Sequence, residues 1–402
     1  MPKIICFFQI YIQIIIFSLF VLTYPVQAND SQFRVWLEVL IEEAKTKGIE
    51  SNLLQVALGD VKLRPRVIEL DRSQAEFQKP FWQYLDTRVS TARILKGKHL
   101  LSENRQLLSN IEHKYGVPGR FLVAFWGLET NYGSYMGSFP VIESLVTLAF
   151  DDRRSSFFRS ELFYALEILQ SQSLSVDEMK GSWAGAMGHT QFMPSTFAAY
   201  GQDGDSNGVV NLWQSLPDVF ASSANYLDQL GWDSGYTWGR EVLLPPGFDY
   251  SMIGIKKVKK IALWKSIGVK SIEGRVLPIT NIAASIVLPI GFRGPAFMVY
   301  KNFRIIMSWN KSIAYALSVG HLADRLIGLP PLKSKRNRID ILNADEITKL
   351  QIYLNASGFP SGIPDGKIGS LTKSAVMQYQ FSRGMVVDGY PDKAFFKKIF
   401  DN

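Results

Sequence analysis

The sequence predicts a mainly α-helical protein with a small β-containing insertion and a separate, small C-terminal domain. Three observations carry this expectation. Over residues 31–329 apolar side chains recur at spacings of three and four, the period of an amphipathic helix. Between about 236 and 310 this gives way to short runs rich in β-branched and aromatic residues, separated by Gly and Pro. Pro330-Pro331 and the cations Lys333, Lys335, Arg336 and Arg338 then break the chain before a block of about sixty residues. The divisions that follow are 1–28, 29–329, 330–340 as a basic linker, and 341–402.

Residues 4–24 are almost wholly apolar, follow Lys3, and lead into Pro25-Val26-Gln27-Ala28. A basic start, an apolar run and a small residue before polar sequence read as a secretory signal peptide ending at Ala28. The alternative is an uncleaved membrane anchor, since the run approaches the roughly 20 residues that span a bilayer. Gln9 and Gln13 interrupt it. On the signal reading the protein is exported to the periplasm or cell envelope, and a membrane is a partner only if the segment stays. Cleavage removes Lys3 and the one cysteine, Cys6, leaving a net charge of +7 from the full chain's +8.

Phe33, Trp36, Leu37, Leu40 and Ile41 mark the first helix, and 101–113, 156–170 and 216–230 carry similar stripes. Segments 241–244 and 296–300 read as strands of the insertion. A chain 47% hydrophobic and 20% charged is neither disordered nor collagen-like. One cysteine and four histidines, with no H-E-x-x-H, speak against disulfide scaffolds and zinc hydrolases. The pairs Lys256-Lys257 and Lys259-Lys260 lie in no nucleic-acid motif, and an export signal opposes such a partner.

The most informative helix lies within 116–133. Pro118 suits a first turn, Phe121, Leu122, Phe125 and Trp126 form a stripe, and Asn131 and Gly133 stop the helix. Glu129 falls one turn after Phe125, where burial and the helix dipole both disfavour its charged form. That is what a general acid near neutral pH requires, although a helix-end cap or ion pair explains the same spacing. In 181–194, glycines and alanines alternate with Ser182, Thr190 and Gln191, which can bond sugar hydroxyls. Trp183 and Phe192 offer stacking faces. A tight helix crossing would also use these glycines, and no phosphate-loop pattern is present. Asp203, Asp205, Asn207 and Gly208 match the start of a calcium loop, with Gln214 where the usual closing Glu stands and Asp218 as a later carboxylate. The alternative is a polar Asp/Gly turn.

L-E-T-N-Y-G (128–133), F-D-D-R-R (150–154), G-S-W-A-G-A-M-G-H-T-Q-F-M-P-S (181–195) and V-N-L-W (210–213) occur in that order. G-P-A-F-M-V-Y (294–300) and W-N-K-S-I-A-Y-A-L (309–317) follow. Together they resemble the lytic transglycosylases of the membrane-bound B type, over nearly all of 31–329. The resemblance implies a lysozyme-like catalytic domain over 29–329, peptidoglycan glycan strands as partner, no required cofactor, and Glu129 as single acid/base. It also implies that Arg153, Arg154, Ser182, Gln191, Tyr226, Asn310 and Tyr315 line the glycan groove. Trp309 stands where the best-known member has a tyrosine, which leaves stacking and excludes a hydroxyl contact. That member's divalent ion supports a structural Ca2+ held by Asp203, Asp205, Asn207 and Asp218. In 341–402, Leu350-Gln351, Leu354, Gly358, Asp365-Gly366, Thr372, Ala375, Tyr379-Gln380 and Asp388-Gly389 resemble the small three-helix peptidoglycan-binding module.

The implied reaction cleaves the β-1,4 bond after N-acetylmuramic acid and closes a 1,6-anhydro ring, so that the sugar's own hydroxyl replaces an activated water. A muramidase hydrolysing the same bond would need a second carboxylate, for which Asp151 and Asp152 are candidates. A non-catalytic wall-binding protein is the third reading, and the intact L-E-T-N-Y-G context argues against it.

Overall fold

The computed structural model describes residues 25–73, 80–172, 174–336 and 339–401. Residues 1–24 of the expected signal peptide, with Cys6, lie outside them, as does Arg338 of the linker. No helix among the described residues is long and apolar enough to cross a membrane. The described residues form two compact units, those up to Leu70 with those of Ser138–Ala186, and those of Asp71–Gly137 with those from Met187 on.

In the first unit the expected opening helix is Pro25–Thr46, and its stripe buries Phe33, Leu37, Leu40 and Ala44. The rings of Phe33 and Trp36 both meet Phe150 edge-on at 5.3 Å. Val141–Phe150 and Ser155–Ser171 pack along each other, and Phe139–Pro140 pairs antiparallel with Lys180–Gly181. Arg159 ties the helices together, bonding Glu43 through Nε at 3.0 Å while its guanidinium covers the Trp36 ring.

The second unit is built around Gly119–Thr130, in which every residue from Phe121 to Leu128 is buried. A helix apolar on all faces must be enclosed by others. Ile313–Leu326, Thr91–Glu103, Arg105–Tyr115 and Leu216–Gln229 enclose it. The half-buried Asp324 accepts from Arg120 at 2.8 Å and from the Trp238 indole at 2.9 Å, which locks the amino end of this helix to Ile313–Leu326. The single helix expected over 101–113 is instead two, divided at Asn104. The Asn104 side-chain amide donates to Leu100 O at 2.9 Å, a local bond that competes with continuing the helix.

The insertion is an antiparallel sheet in the spatial order Lys259–Lys260, Ala283–Val287, Ala296–Val299, Gly239–Leu243, Lys270–Ser271. Two of these strands match the expected segments, with Glu241 opposite Phe297. Val242, Ile286, Met298 and Trp264 form its core. The C-terminal block has three helices, Ala344–Ala356, Ser370–Ser382 and Lys393–Phe400, the first opened by an Asn343–Glu346 capping box. Leu350, Leu354, Ala375 and Val376 are fully buried between them. Its two Asp-Gly turns are each held by a buried glutamine. Gln351 donates to Asp365, Lys367 O and Thr372 and accepts from the amides of Asp365 and Gly366. Gln380 repeats the arrangement on Asp388 and Gly389.

Candidate active site

Glu129 sits in the last turn of Gly119–Thr130, which runs directly into three successive left-handed residues, Asn131 (φ 51), Tyr132 (φ 63) and Gly133 (φ 72). The last four residues of L-E-T-N-Y-G each have a physical reason. Asn tolerates the left-handed cap. The Tyr132 ring lies against Gly127, where a Cβ would come within 2.7 Å of it. At Gly133 a Cβ would meet His189 Cε1 at 2.2 Å. The Thr130 hydroxyl donates to His189 O at 2.7 Å and accepts from the Gly133 amide at 3.0 Å. The Trp126 indole donates to His189 Nδ1 at 2.8 Å, and burial holds this imidazole below its ordinary range. His189 is therefore a neutral structural acceptor beneath the turn, with its proton on Nε2.

The half-buried Glu129 carboxylate accepts a hydrogen bond from the Tyr315 hydroxyl. Burial, then the Glu129 charge and the hydrogen bond itself, push the Tyr315 phenol well above its usual range, so it stays a donor. Tyr315 stands in the first turn of Ile313–Leu326, and its amide donates to the capping Ser312 hydroxyl at 3.3 Å. Asn310 Oδ1 in turn accepts from the Ser312 amide at 3.1 Å. Asn310 thus holds the start of the helix that presents Tyr315, and Tyr315, 4% exposed, faces Glu129 rather than an open groove.

Trp309 stacks on Phe125 with centroids 4.3 Å apart and meets the Phe192 and Tyr226 rings at 5.1 and 5.3 Å. Tyr226 is half-buried, and burial with the neighbouring Tyr200 raises its phenol. Gln191, in a left-handed conformation (φ 53), spends its amide nitrogen on Met136 O at 2.9 Å and Gly188 O at 3.0 Å. Its carbonyl oxygen is the end not used by these bonds. Two expectations require correction: Thr190 is fully buried and Phe192 is 2% exposed, so neither offers a sugar contact. Both point inward because Met187 and Phe192 exchange backbone hydrogen bonds at 2.8 and 3.0 Å across a tight turn.

The 181–194 run divides between the compact units after Ala186. Ser182, Arg153, Arg154, Asp151 and Asp152 belong to the first unit. The Ser182 hydroxyl accepts from the amides of Ala184 and Ala186 at 3.3 and 3.0 Å. Arg153 is exposed, and the Arg154 guanidinium lies 4.8 Å from the Phe158 ring centroid. Phe81–Arg88 also reaches the site, where its Tyr84 and Arg88 both act electrostatically on Tyr315. No local pattern marks them; only tertiary placement does.

Asp203, Asp205 and Asp218 each bring one carboxylate oxygen within 4.8 Å of the others. Asp218 is fully buried and accepts the amides of Gly204 and Asn211, both at 2.7 Å. The Gly208 amide holds the Asp203 carboxyl below its ordinary range. Asn207 Oδ1 accepts from the Val209 amide at 2.9 Å, so it shapes the loop. Three converging carboxylates, one of them buried, form a hard-oxygen donor set that fits Ca2+.

Residues 32–324 match the transglycosylase SLT domain family, and 343–399 match a peptidoglycan binding domain. The membrane-bound lytic murein transglycosylase B of Escherichia coli (strain K12) is 28% identical over 312 residues, 73% of this chain and 82% of that one. The crystal structure of SltB3 from Pseudomonas aeruginosa in complex with NAG-NAM-pentapeptide superposes with a TM-score of 0.88 at 40% identity, covering 91% of this chain and 99% of that one. A second SltB3 structure, in complex with NAG-anhNAM-pentapeptide, has a TM-score of 0.84. The Escherichia coli lytic transglycosylase Slt35 in complex with calcium has a TM-score of 0.64 at 26% identity, covering 72% of this chain and 92% of that one. The match over 32–324, which takes in Glu129, Tyr315 and the acidic loop, places this chain in the transglycosylase SLT domain family.

Proposed function

We propose that this lytic transglycosylase uses Glu129 as its single acid/base to cleave the β-1,4 bond between N-acetylmuramic acid and N-acetylglucosamine in peptidoglycan. The observation that carries the reading is Glu129, half-buried at the end of an apolar helix and hydrogen-bonded by a buried tyrosine. Protonated, Glu129 gives its proton to the glycosidic oxygen as the C1–O bond breaks. The carboxylate then takes the proton of the same sugar's C6 hydroxyl while that oxygen bonds to C1. The glutamic acid is regenerated, no water is consumed, and the intramolecular attack supplies the effective concentration that a hydrolase must get from an activated water. In this scheme Tyr315 steadies the carboxylate once it has lost its proton.

Trp309 and Tyr226 offer half-buried ring surface to a sugar, and the Gln191 carbonyl can accept from a hydroxyl or acetamide. For Ser182, Arg153, Arg154 and Asn310 the support is the family motif they occupy. The 341–402 block is assigned to anchoring on the wall and 330–340 to joining it to the catalytic region, with residues 1–28 exporting the chain to the periplasm. Asp203, Asp205 and Asp218 are assigned to a structural Ca2+, with Asn207 shaping the loop. The muramidase alternative predicts a different product. Digestion in 18O-labelled water tests this directly: the proposal expects anhydro ends free of label, and labelled reducing ends would overturn it.

A further inference from the structure

Three cations converge on the carboxyl end of the Glu129 helix, and nothing in the chemistry above uses them. Arg88 Nη1 donates to Leu128 O at 3.3 Å, with its guanidinium 5.3 Å from the Tyr84 ring centroid. Arg93 reaches Asn131 Oδ1 through Nε at 3.3 Å, and its Nη1 donates to Thr87 O and Arg88 O at 3.0 and 2.6 Å. Lys96 Nζ donates to Asn131 O at 3.3 Å and to the Ser134 hydroxyl at 2.8 Å. Tyr132, the middle left-handed residue, returns a bond from its hydroxyl to Arg93 O at 2.8 Å. All three cations come from the end of Phe81–Arg88 and the start of Thr91–Glu103, so two consecutive helices grip one turn.

The last carbonyls of a helix lack intrahelical partners and carry about half a negative charge. Here that pole lies beside a carboxylate that must alternate between protonated and charged forms. The turn after it holds two non-glycine residues in left-handed backbone, a strained arrangement that persists only where the surroundings fix it. A cationic grip answers both demands. It satisfies the Leu128 and Asn131 carbonyls, opposes the dipole beside Glu129, and pins the turn that sets where the carboxylate lies.

We propose that Arg88, Arg93 and Lys96 form a cationic clamp that positions Glu129 and offsets the negative pole of its helix, making them positioning residues for the cleavage. This rests on Glu129 being the acid/base. Among the described residues, the titratable groups facing this end of the helix are Tyr315 from Ile313–Leu326, Tyr84 and Arg88 from Phe81–Arg88, Arg93 and Lys96 from Thr91–Glu103, and Tyr132 and His189 from the loops, while Tyr226 of Leu216–Gln229 meets Trp309, which stacks on Phe125. At the amino end lie Arg120, Asp324 and Glu112, the last from Arg105–Tyr115.

The test compares wild type with Arg88→Met, Arg88→Lys and Lys96→Met, measuring kcat and KM against pH on soluble peptidoglycan glycan strands, with Tm recorded for each. Lys96 is exposed, so Lys96→Met decides the matter even if Arg88→Met fails to fold. The clamp predicts kcat reduced several-fold with KM unchanged. It also predicts that the alkaline limb, which reports loss of the acid's proton, moves up by roughly half a pH unit in the Met variants, and by less in Arg88→Lys. A profile that does not move, or a kcat loss that only follows Tm, overturns the clamp. Glu129→Gln run alongside separates the two ideas. If it still releases anhydro ends, the acid/base reading fails; if it is inactive while the Met profiles stay fixed, the clamp alone fails.

Discussion

Glu129 and Tyr315 meet across 186 positions of sequence. The glutamate was legible from the apolar stripe before it and the Asn and Gly stop signals after it. Its partner was not, because no local pattern tells a helix-opening tyrosine that lines a groove from one that turns inward. The helix dipole expected to weigh on Glu129 meets cations close by, Arg88 at the helix carbonyl of Leu128 and Lys96 at the carbonyl of the capping Asn131. A hydrogen bond to a charged acceptor contributes about 1.5–3 kcal/mol, so Tyr315→Phe should lower kcat by roughly 10- to 100-fold. Steady-state kinetics beside a melting curve checks this: kcat falls while KM and Tm hold. Gly133→Ala has no such separation. A methyl there would meet His189 at 2.2 Å, so the variant should lose stability and activity together, by about 2 kcal/mol or more in a urea melt.

Among the elements, the acidic loop and the C-terminal turns were read from short polar motifs, and such motifs are legible because they act locally. The division at Asn104 is not legible in the sequence for the opposite reason: the apolar period runs through it, and a side-chain bond to Leu100 O marks where the helix breaks. If the loop of Asp203, Asp205 and Asp218 holds calcium in the folded state alone, added Ca2+ must raise Tm and a chelator must lower it. Asp218→Asn should abolish that response, and a response left intact would remove the metal from this loop. In the C-terminal block, Gln351 is 1% exposed and its side chain makes five hydrogen bonds to four residues. Gln351→Ala removes all five bonds from a buried position and should cost about 2–4 kcal/mol in denaturant unfolding.

At the scale of the molecule, the C-terminal block and linker are tied into the second compact unit by polar contacts that no sequence pattern announced. The Phe292 amide donates to Asp388 at 2.9 Å, and Arg293 pairs with Asp392. The buried Glu241 accepts the amides of Lys333 and Ser334, and Arg336 grips both oxygens of Asp86 at 2.7 and 2.6 Å. His321, 8% exposed, is pushed down to about 4 by burial and then by Arg325 and Arg336. The folded state therefore binds this proton more weakly than the unfolded chain does. The stability from neutral His321 is fully present above its ordinary value of 6.5 and is lost as pH falls towards 4. The loss amounts to about 3 kcal/mol, and His321→Gln should flatten urea-melt stability against pH across that window. All of this scaffolding holds in place the one glutamate proposed to cleave peptidoglycan without water. Mass spectrometry of peptidoglycan digested by wild type and by Glu129→Gln tests it most directly. The account predicts 1,6-anhydromuramyl ends from the wild type and no cleavage by a Glu129→Gln protein of unchanged Tm. Reducing N-acetylmuramic acid ends from the wild type, or undiminished cleavage by Glu129→Gln, would contradict it.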